Sequence, residues 1–232
     1  MSVGDGFREE VLDANLGLVR HGLVTLTWGN ASGIDRVREL VAIKPSGVRY
    51  EEMVVEDIVV VDLAGRVVEG ARRPSTDTPT HLSLYRSFPE IGGVVHTHST
   101  WATSWAQAER EIPIFGTTHA DLCPTAIPVA RRLSDDEVRG AYEENTGLAL
   151  REVIGNRGID EVPGALVPGH GPFTWGENVA RALERAVTLE EIARMAFLTV
   201  VLRPDVAPLP ATLVDRHFTR KHGPGAYYGQ LP

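Results

Sequence analysis

The chain has 232 residues, 43% of them apolar and 23% charged, which is enough for one sizeable core. A net charge of −8 argues against a nucleic-acid binder with a basic face and against a protein that adsorbs to anionic membranes. The single Cys123 rules out an internal disulfide, and no stretch approaches the roughly 20 apolar residues of a membrane span. Residues 1–8 hold no apolar run behind a basic start, so no signal peptide is expected, and the expected location is the cytoplasm.

Helix and strand patterns alternate along the chain. Phe7, Val11, Ala14 and Leu18 fall on one helical face. Residues 23–28 read as a strand ending at Gly29-Asn30. Val41-Ala42-Ile43 is a short apolar run stopped by Pro45, Ser46 and Gly47. Residues 57–63 read as a buried strand that turns through Ala64-Gly65-Arg66 into Val67-Val68. Thr78-Pro79 reads as a cap followed by a first-turn proline, opening a helix to about Phe88. Gly92-Gly93-Val94-Val95 opens a strand, and a helix follows from Trp101. Ser134-Asp135-Asp136-Glu137 is a capping box for a helix running past Tyr142. Ala165-Leu166-Val167 is a short strand. Val179, Leu183, Ala186, Leu189, Ala193, Ala196 and Val200 mark a long amphipathic helix. From about residue 204 the tail is too rich in proline and glycine to be one helix and is expected to pack on a surface. The expectation is one α/β domain spanning 1–232.

Val94-Val95-His96-Thr97-His98 is the sharpest chemical signal. Residues two apart in a strand share a face, so His96 and His98 could chelate one metal ion, or could be a surface or core pair. His170 follows a strand between glycines, and three histidines with an open position suit a catalytic metal site. Lys44-Pro45-Ser46-Gly47 and Pro74-Ser75-Thr76-Asp77 are polar turns of the kind that cradle anions, the second opening a helix; each alone can also be a plain turn. Asp121, in Thr117-Thr118-His119-Ala120-Asp121, could be an acid/base group or a solvated loop aspartate. His217, Lys221, His222, Tyr227 and Tyr228 mark the tail. His21 and His81 read as helix residues without a role. Trp28, Trp101, Trp105 and Trp175 read as core or interface rather than substrate platforms.

Taken together, Leu26-Thr27-Trp28-Gly29-Asn30-Ala31-Ser32, Lys44-Pro45-Ser46-Gly47, Val95-His96-Thr97-His98 and His170-Gly171-Pro172-Phe173 resemble the class II aldolase/adducin family, in the same order along the whole chain. Residues 75–81, 116–121 and the ending Tyr227-Tyr228-Gly229-Gln230 resemble its pentulose-phosphate epimerase branch. Asp77 stands where the aldolase branch carries a glutamate. Thr76 stands where a second serine is usual, Gly169 where serine is commoner, and Leu122-Cys123-Pro124 departs from the pattern.

The resemblance implies a three-layer α/β/α sandwich around a mixed, largely antiparallel sheet. It implies a homotetramer with sites between subunits, the tail from about 204 lying on the surface or on a neighbour. A divalent metal, zinc with manganese or cobalt as alternatives, would be held by His96, His98 and His170, with Asp77 a further ligand or close neighbour. A sugar phosphate would lie against Gly29, Asn30, Lys44, Ser46, Gly47, Ser75, Thr76 and Thr117. Asp121 and Tyr228 would be the acid/base pair, assisted by His217. The implied reaction is epimerisation of L-ribulose 5-phosphate at C4 by retro-aldol cleavage and re-addition. The alternatives are a class II sugar-phosphate aldolase and, less favoured, a non-catalytic adducin-like module.

Overall fold

The computed structural model describes residues 3–222 and 225–229, so Gln230 and the first two residues of the expected signal-free start lie outside them. Its elements are α1 (Asp5–Arg20), β1 (Asn30–Asp35), β2 (Leu40–Ile43), β3 (Val59–Asp62), β4 (Val67–Glu69), α2 (Thr78–Ser87), β5 (Gly93–His96), α3 (Thr100–Gln107), α4 (Thr117–Leu122), α5 (Asp135–Arg139), α6 (Tyr142–Ile154), β6 (Gly164–Val167), β7 (Gly171–Gly176), α7 (Val179–Leu202) and α8 (Ala211–Thr219). The seven strands form one sheet in the order β4-β3-β2-β1-β5-β7-β6. Where a mixed sheet was expected, every ladder is antiparallel, and the one parallel contact among the described residues is an isolated bridge between Val129 and Leu166.

Side-chain alternation builds the layers. Val41, Val59, Val61 and Val94 face one side, where they pack with Leu82, Leu84 and Tyr85 of α2 and Ala149, Leu150 and Ile154 of α6. Leu40, Ala42 and Val60 face the other side, against Val11 of α1. Ala31 and Val95 do the same against Ala14 and Leu18 of α1 and Ala182 and Ala186 of α7. Because both faces are covered, β2, β5 and β6 are buried along their whole length. The outcome is the expected α/β/α sandwich. On the α1/α7 side, α3 packs its Ala102, Trp105 and Ala106 on Ile192 and Ala193 of α7. Glu190 reaches from α7 to cap α3, its carboxylate accepting from the Trp101 N–H at 2.8 Å and the Ala102 N–H at 2.9 Å.

Several expectations are corrected. Residues 23–28 are irregular with a turn at 26–27, not a strand; Leu26 takes φ 55° and the strand starts only at Asn30. The cap of α2 is Asp77, one residue before the expected Thr78, with Pro79 in the first turn. The capping box is real, with Ser134 accepting from the Glu137 N–H at 3.3 Å, but its helix stops at Arg139 and α6 starts afresh at Tyr142 after Gly140. Thr117, Ala120 and Asp121 lie on the short helix α4 rather than in a loop. Strand β7 and helix α8 were not anticipated.

Candidate active site

His96 ends β5, and His98 follows it beyond the ladder. His170 closes the turn between β6 and β7, the strand that pairs with β5 on its other side. The three imidazoles offer ligand nitrogens that all lie within 4.8 Å of one another. His96 stacks on Phe173, its cross-strand partner, at 4.2 Å, and its Nδ1–H donates to the Pro172 carbonyl at 3.0 Å. That bond leaves the His96 Nε2 as a bare lone pair, 3.1 Å from the His98 Nε2. His170 Nδ1 lies 3.4 Å from the Tyr142 hydroxyl. Burial drives the His96 imidazole down to about 3, against the pull of the Asp77 carboxylate. Burial also lowers His170 and His98. Three neutral imidazoles whose ligand nitrogens converge this closely, with the His96 Nε2 free of a proton, form a donor set that fits a divalent metal ion. Close approach here requires Gly171, where a Cβ would sit 2.5 Å from the Thr97 carbonyl.

Asp77, expected as a ligand or neighbour, lies outside this triad among the described residues, yet lines the same cleft. Its carboxylate accepts from the Asn30 amide at 2.7 Å. Burial would raise the Asp77 carboxyl, but His96, His81, the Asn30 bond and His170 together hold it below its usual range. Asn30 starts β1 directly opposite His96 in the β1–β5 ladder, and its amide donates also to Ser75 Oγ at 3.0 Å. The Asn30 Oδ1 is buried without a partner.

An antiparallel bridge between Pro45 and Pro74 joins the two polar turns. The Ser46 N–H is spent on the Arg73 carbonyl and the Ser75 N–H on the Lys44 carbonyl, so what these serines can offer a ligand is their hydroxyls. The result is a cleft of about 370 Å³ lined by Gly29, Asn30, Lys44, Ser46, Gly47, Ser75 and Thr76 on one wall and by Asp77, His98 and His170 beyond. Gly29 takes φ 75°, and a Cβ there would lie 2.8 Å from the His96 carbonyl. Lys44 is buried and sits beneath the turns, its ammonium donating to the Val48 carbonyl at 3.0 Å and to Thr27 and Pro45 at 3.3 Å. Burial lowers it to about 8.

The remaining expected residues gather elsewhere. Asp121 accepts from His217 Nδ1 at 3.0 Å and from Arg220, whose Nε lies at 2.8 Å, and Lys221 stands at 3.8 Å. Burial would raise this carboxyl, but the Arg220 and His217 bonds and the Lys221 charge hold it low. Tyr228 lies under Arg220 and Lys221, with 61% of its surface exposed. Thr117 is exposed at the start of α4. None of these lines the histidine cleft.

Sequence reasoning missed Tyr142, Arg220 and Tyr50, whose hydroxyl reaches the carbonyls of Trp28 and Gly29, both at 2.9 Å. It left His81 without a role, whereas the structure buries it with Nδ1 2.7 Å from Ser32 Oγ. Trp175 and Trp105 are core, as expected, but Trp28 lines the cleft with 52% of its surface exposed.

A family model described as Class II Aldolase and Adducin N-terminal domain matches residues 9–197. The chain is 55% identical over 223 residues to the L-ribulose-5-phosphate 4-epimerase UlaF of Salmonella paratyphi A, covering 96% of this chain and 98% of that protein, and equally to that of Salmonella typhi. Among solved structures, an L-fuculose 1-phosphate aldolase superposes with a TM-score of 0.79 at 25% identity, over 94% of this chain and 97% of that one. The L-fuculose-1-phosphate aldolase of Thermus thermophilus, at TM-score 0.69 and 23% identity over 88% and 98% of the two chains, shows the shared fold. No described helix is long and apolar enough to cross a membrane.

Proposed function

The chain belongs to the class II aldolase and adducin family, and from that premise we propose that it epimerises L-ribulose 5-phosphate at C4 to D-xylulose 5-phosphate. The observation that carries the reading is one cleft lined by His98 and His170, with buried His96 completing a three-imidazole donor set, beside paired hydroxyl-bearing turns. His96, His98 and His170 would hold a divalent ion, zinc by preference, and Asp77 supports them from the cleft wall. When bound, the ion supplies Lewis acidity toward the ketose oxygens. Ser46, Ser75 and Thr76 hydroxyls, with the Gly29 and Gly47 backbone, hold the phosphate above the Lys44 charge. The unpartnered Asn30 Oδ1 accepts from a sugar hydroxyl.

Direct deprotonation at C4 is ruled out chemically, because that hydrogen is not α to the C2 carbonyl. Retro-aldol cleavage avoids the problem. The C4 hydroxyl gives up its proton to an acid/base group, the C3–C4 bond breaks, and its electron pair passes into the C1–C3 fragment as an enediolate. Glycolaldehyde phosphate turns over, C3 attacks its other face, and a second group returns a proton to the C4 oxygen. Asp121 and Tyr228, with His217 bonded to Asp121, suit those two roles. Since they lie apart from the cleft in one chain, a neighbouring subunit of a cytoplasmic homotetramer supplies them, with Thr117 beside them. The whole chain then acts as one catalytic domain whose tail serves the next subunit.

The test is to incubate purified protein with L-ribulose 5-phosphate and follow D-xylulose 5-phosphate, with and without chelator. His96→Asn should lower both bound metal and turnover. If dihydroxyacetone and glycolaldehyde phosphate are the main products, the enzyme is an aldolase.

A further inference from the structure

Resting on that activity, we propose that Trp28 is a specificity-determining wall of the cleft, an apolar surface against which the phosphate-bearing aldehyde turns over between cleavage and re-addition. Among the residues lining the cleft, Trp28 and Pro45 alone are apolar beyond glycine, and Trp28 is the only aromatic besides the histidines. Its indole stands 6.2 Å from the His98 ring, and its backbone leads directly into Gly29 and Asn30. It therefore lines the same cleft as the metal donors and the polar turns.

The fold fixes the backbone that carries this indole. The buried Tyr50 shares its hydroxyl proton between the carbonyls of Trp28 and Gly29. The Trp28 N–H is tied to the Thr25 carbonyl at 3.1 Å. Buried Lys44 grips the Thr27 carbonyl and lies over the Tyr50 ring at 4.7 Å. Leu26 takes a left-handed φ of 55°, which a non-glycine residue adopts only under constraint. A clamp of this kind beneath a half-exposed tryptophan fits a residue whose position matters and whose face meets a ligand.

The chemistry requires such a face. After C3–C4 cleavage the aldehyde must offer first one face and then the other to the same carbon. A wall of hydrogen-bonding groups would hold one orientation better than the other. The flat indole makes comparable contact with either, and it keeps water and solvent exit away from the fragment.

The experiment measures epimerisation and escape of free glycolaldehyde phosphate by the metal-loaded enzyme, alongside inhibition by inorganic phosphate, for Trp28→Phe, Trp28→Leu and Trp28→Ala. Expected is a rise in escaped fragment per epimerisation of roughly fivefold or more in Trp28→Ala, less in Trp28→Leu and least in Trp28→Phe, with phosphate inhibition unchanged throughout. Unchanged escape in Trp28→Ala at full metal content would overturn the proposal. So would parallel loss of phosphate inhibition in all three, which would make Trp28 a prop for the turn. Failure of the wild-type chain to epimerise would overturn the activity instead. The wall would then be judged by L-ribulose 5-phosphate quenching tryptophan emission in wild type and not in Trp28→Phe; no difference between the two would sink it.

Discussion

Replacing Glu190 by alanine removes two bonds at once. The Glu190 carboxylate accepts from the Trp101 and Ala102 N–H groups at 2.8 and 2.9 Å, and only 9% of the residue is exposed. A hydrogen bond to a charged group contributes about 1.5–3 kcal/mol, and a carboxylate at a helix N-terminus gains about 0.3–1 kcal/mol more from the dipole. Trp101 is only half-buried, so water recovers part of its loss, whereas Ala102 is fully buried and its N–H is left unpaired. The net expectation for Glu190→Ala is a loss of about 3–5 kcal/mol. Glu190→Gln keeps one oxygen for one N–H and turns its NH₂ against the other, so about half that loss is expected. Urea unfolding at fixed protein concentration reads both values. Since α3 begins two residues after His98, the alanine variant should also retain less metal. An alanine cost under about 1 kcal/mol would refute the reasoning, because the charged cap would then be adding almost nothing.

Ser46→Ala removes one phosphate donor and should raise KM for the sugar phosphate roughly 10- to 100-fold; an unchanged KM would put the phosphate elsewhere. Inactive His96→Asn and inactive Tyr228→Phe chains, refolded together, should regain part of the activity through mixed interfaces. Mixed oligomers verified by mass and still inactive would defeat the shared site. Burial lowers His81 and His119 from 6.5 to about 4, so below pH 6.5 the unfolded chain binds protons that the folded chain refuses. Stability should therefore fall as pH drops from about 6.5 towards 4, by up to about 3 kcal/mol per histidine, and His119→Gln should flatten that fall in urea midpoints.

What could be seen in the sequence follows from how each element announces itself. The apolar spacing in α1 and α7 and the runs in β2, β3 and β5 express burial directly, so those elements were found nearly in place. Strand β1 was displaced because Asn30-Ala31-Ser32-Gly33 has little strand propensity, and it pairs because its small residues fit under α1, where Phe7 and Val11 come within 3.3 Å of a Cβ at Gly33. β7 was hidden by the Gly and Pro of Gly171-Pro172. The histidine triad and the residues of the two polar turns stood out because each sits in a short local motif. Tyr50, Tyr142, His81 and Arg220 act across long sequence separations, and only folding brings them to the residues they hold.

The pairing of Asn30 with His96 makes the central ladder a measuring device. Asn30 at the start of β1 and His96 at the end of β5 stand on neighbouring strands about 4.8 Å apart. The spacing between the Asn30 amide and the His96 imidazole is thus a property of backbone register. Insertions in the turns around Gly65 or Gly155 leave it untouched. A bulge in β1 would shift Asn30 relative to His96, and a one-residue slip would turn Asn30 away from the cleft altogether. New substrates should therefore come more readily from altering side chains such as Trp28 than from lengthening loops.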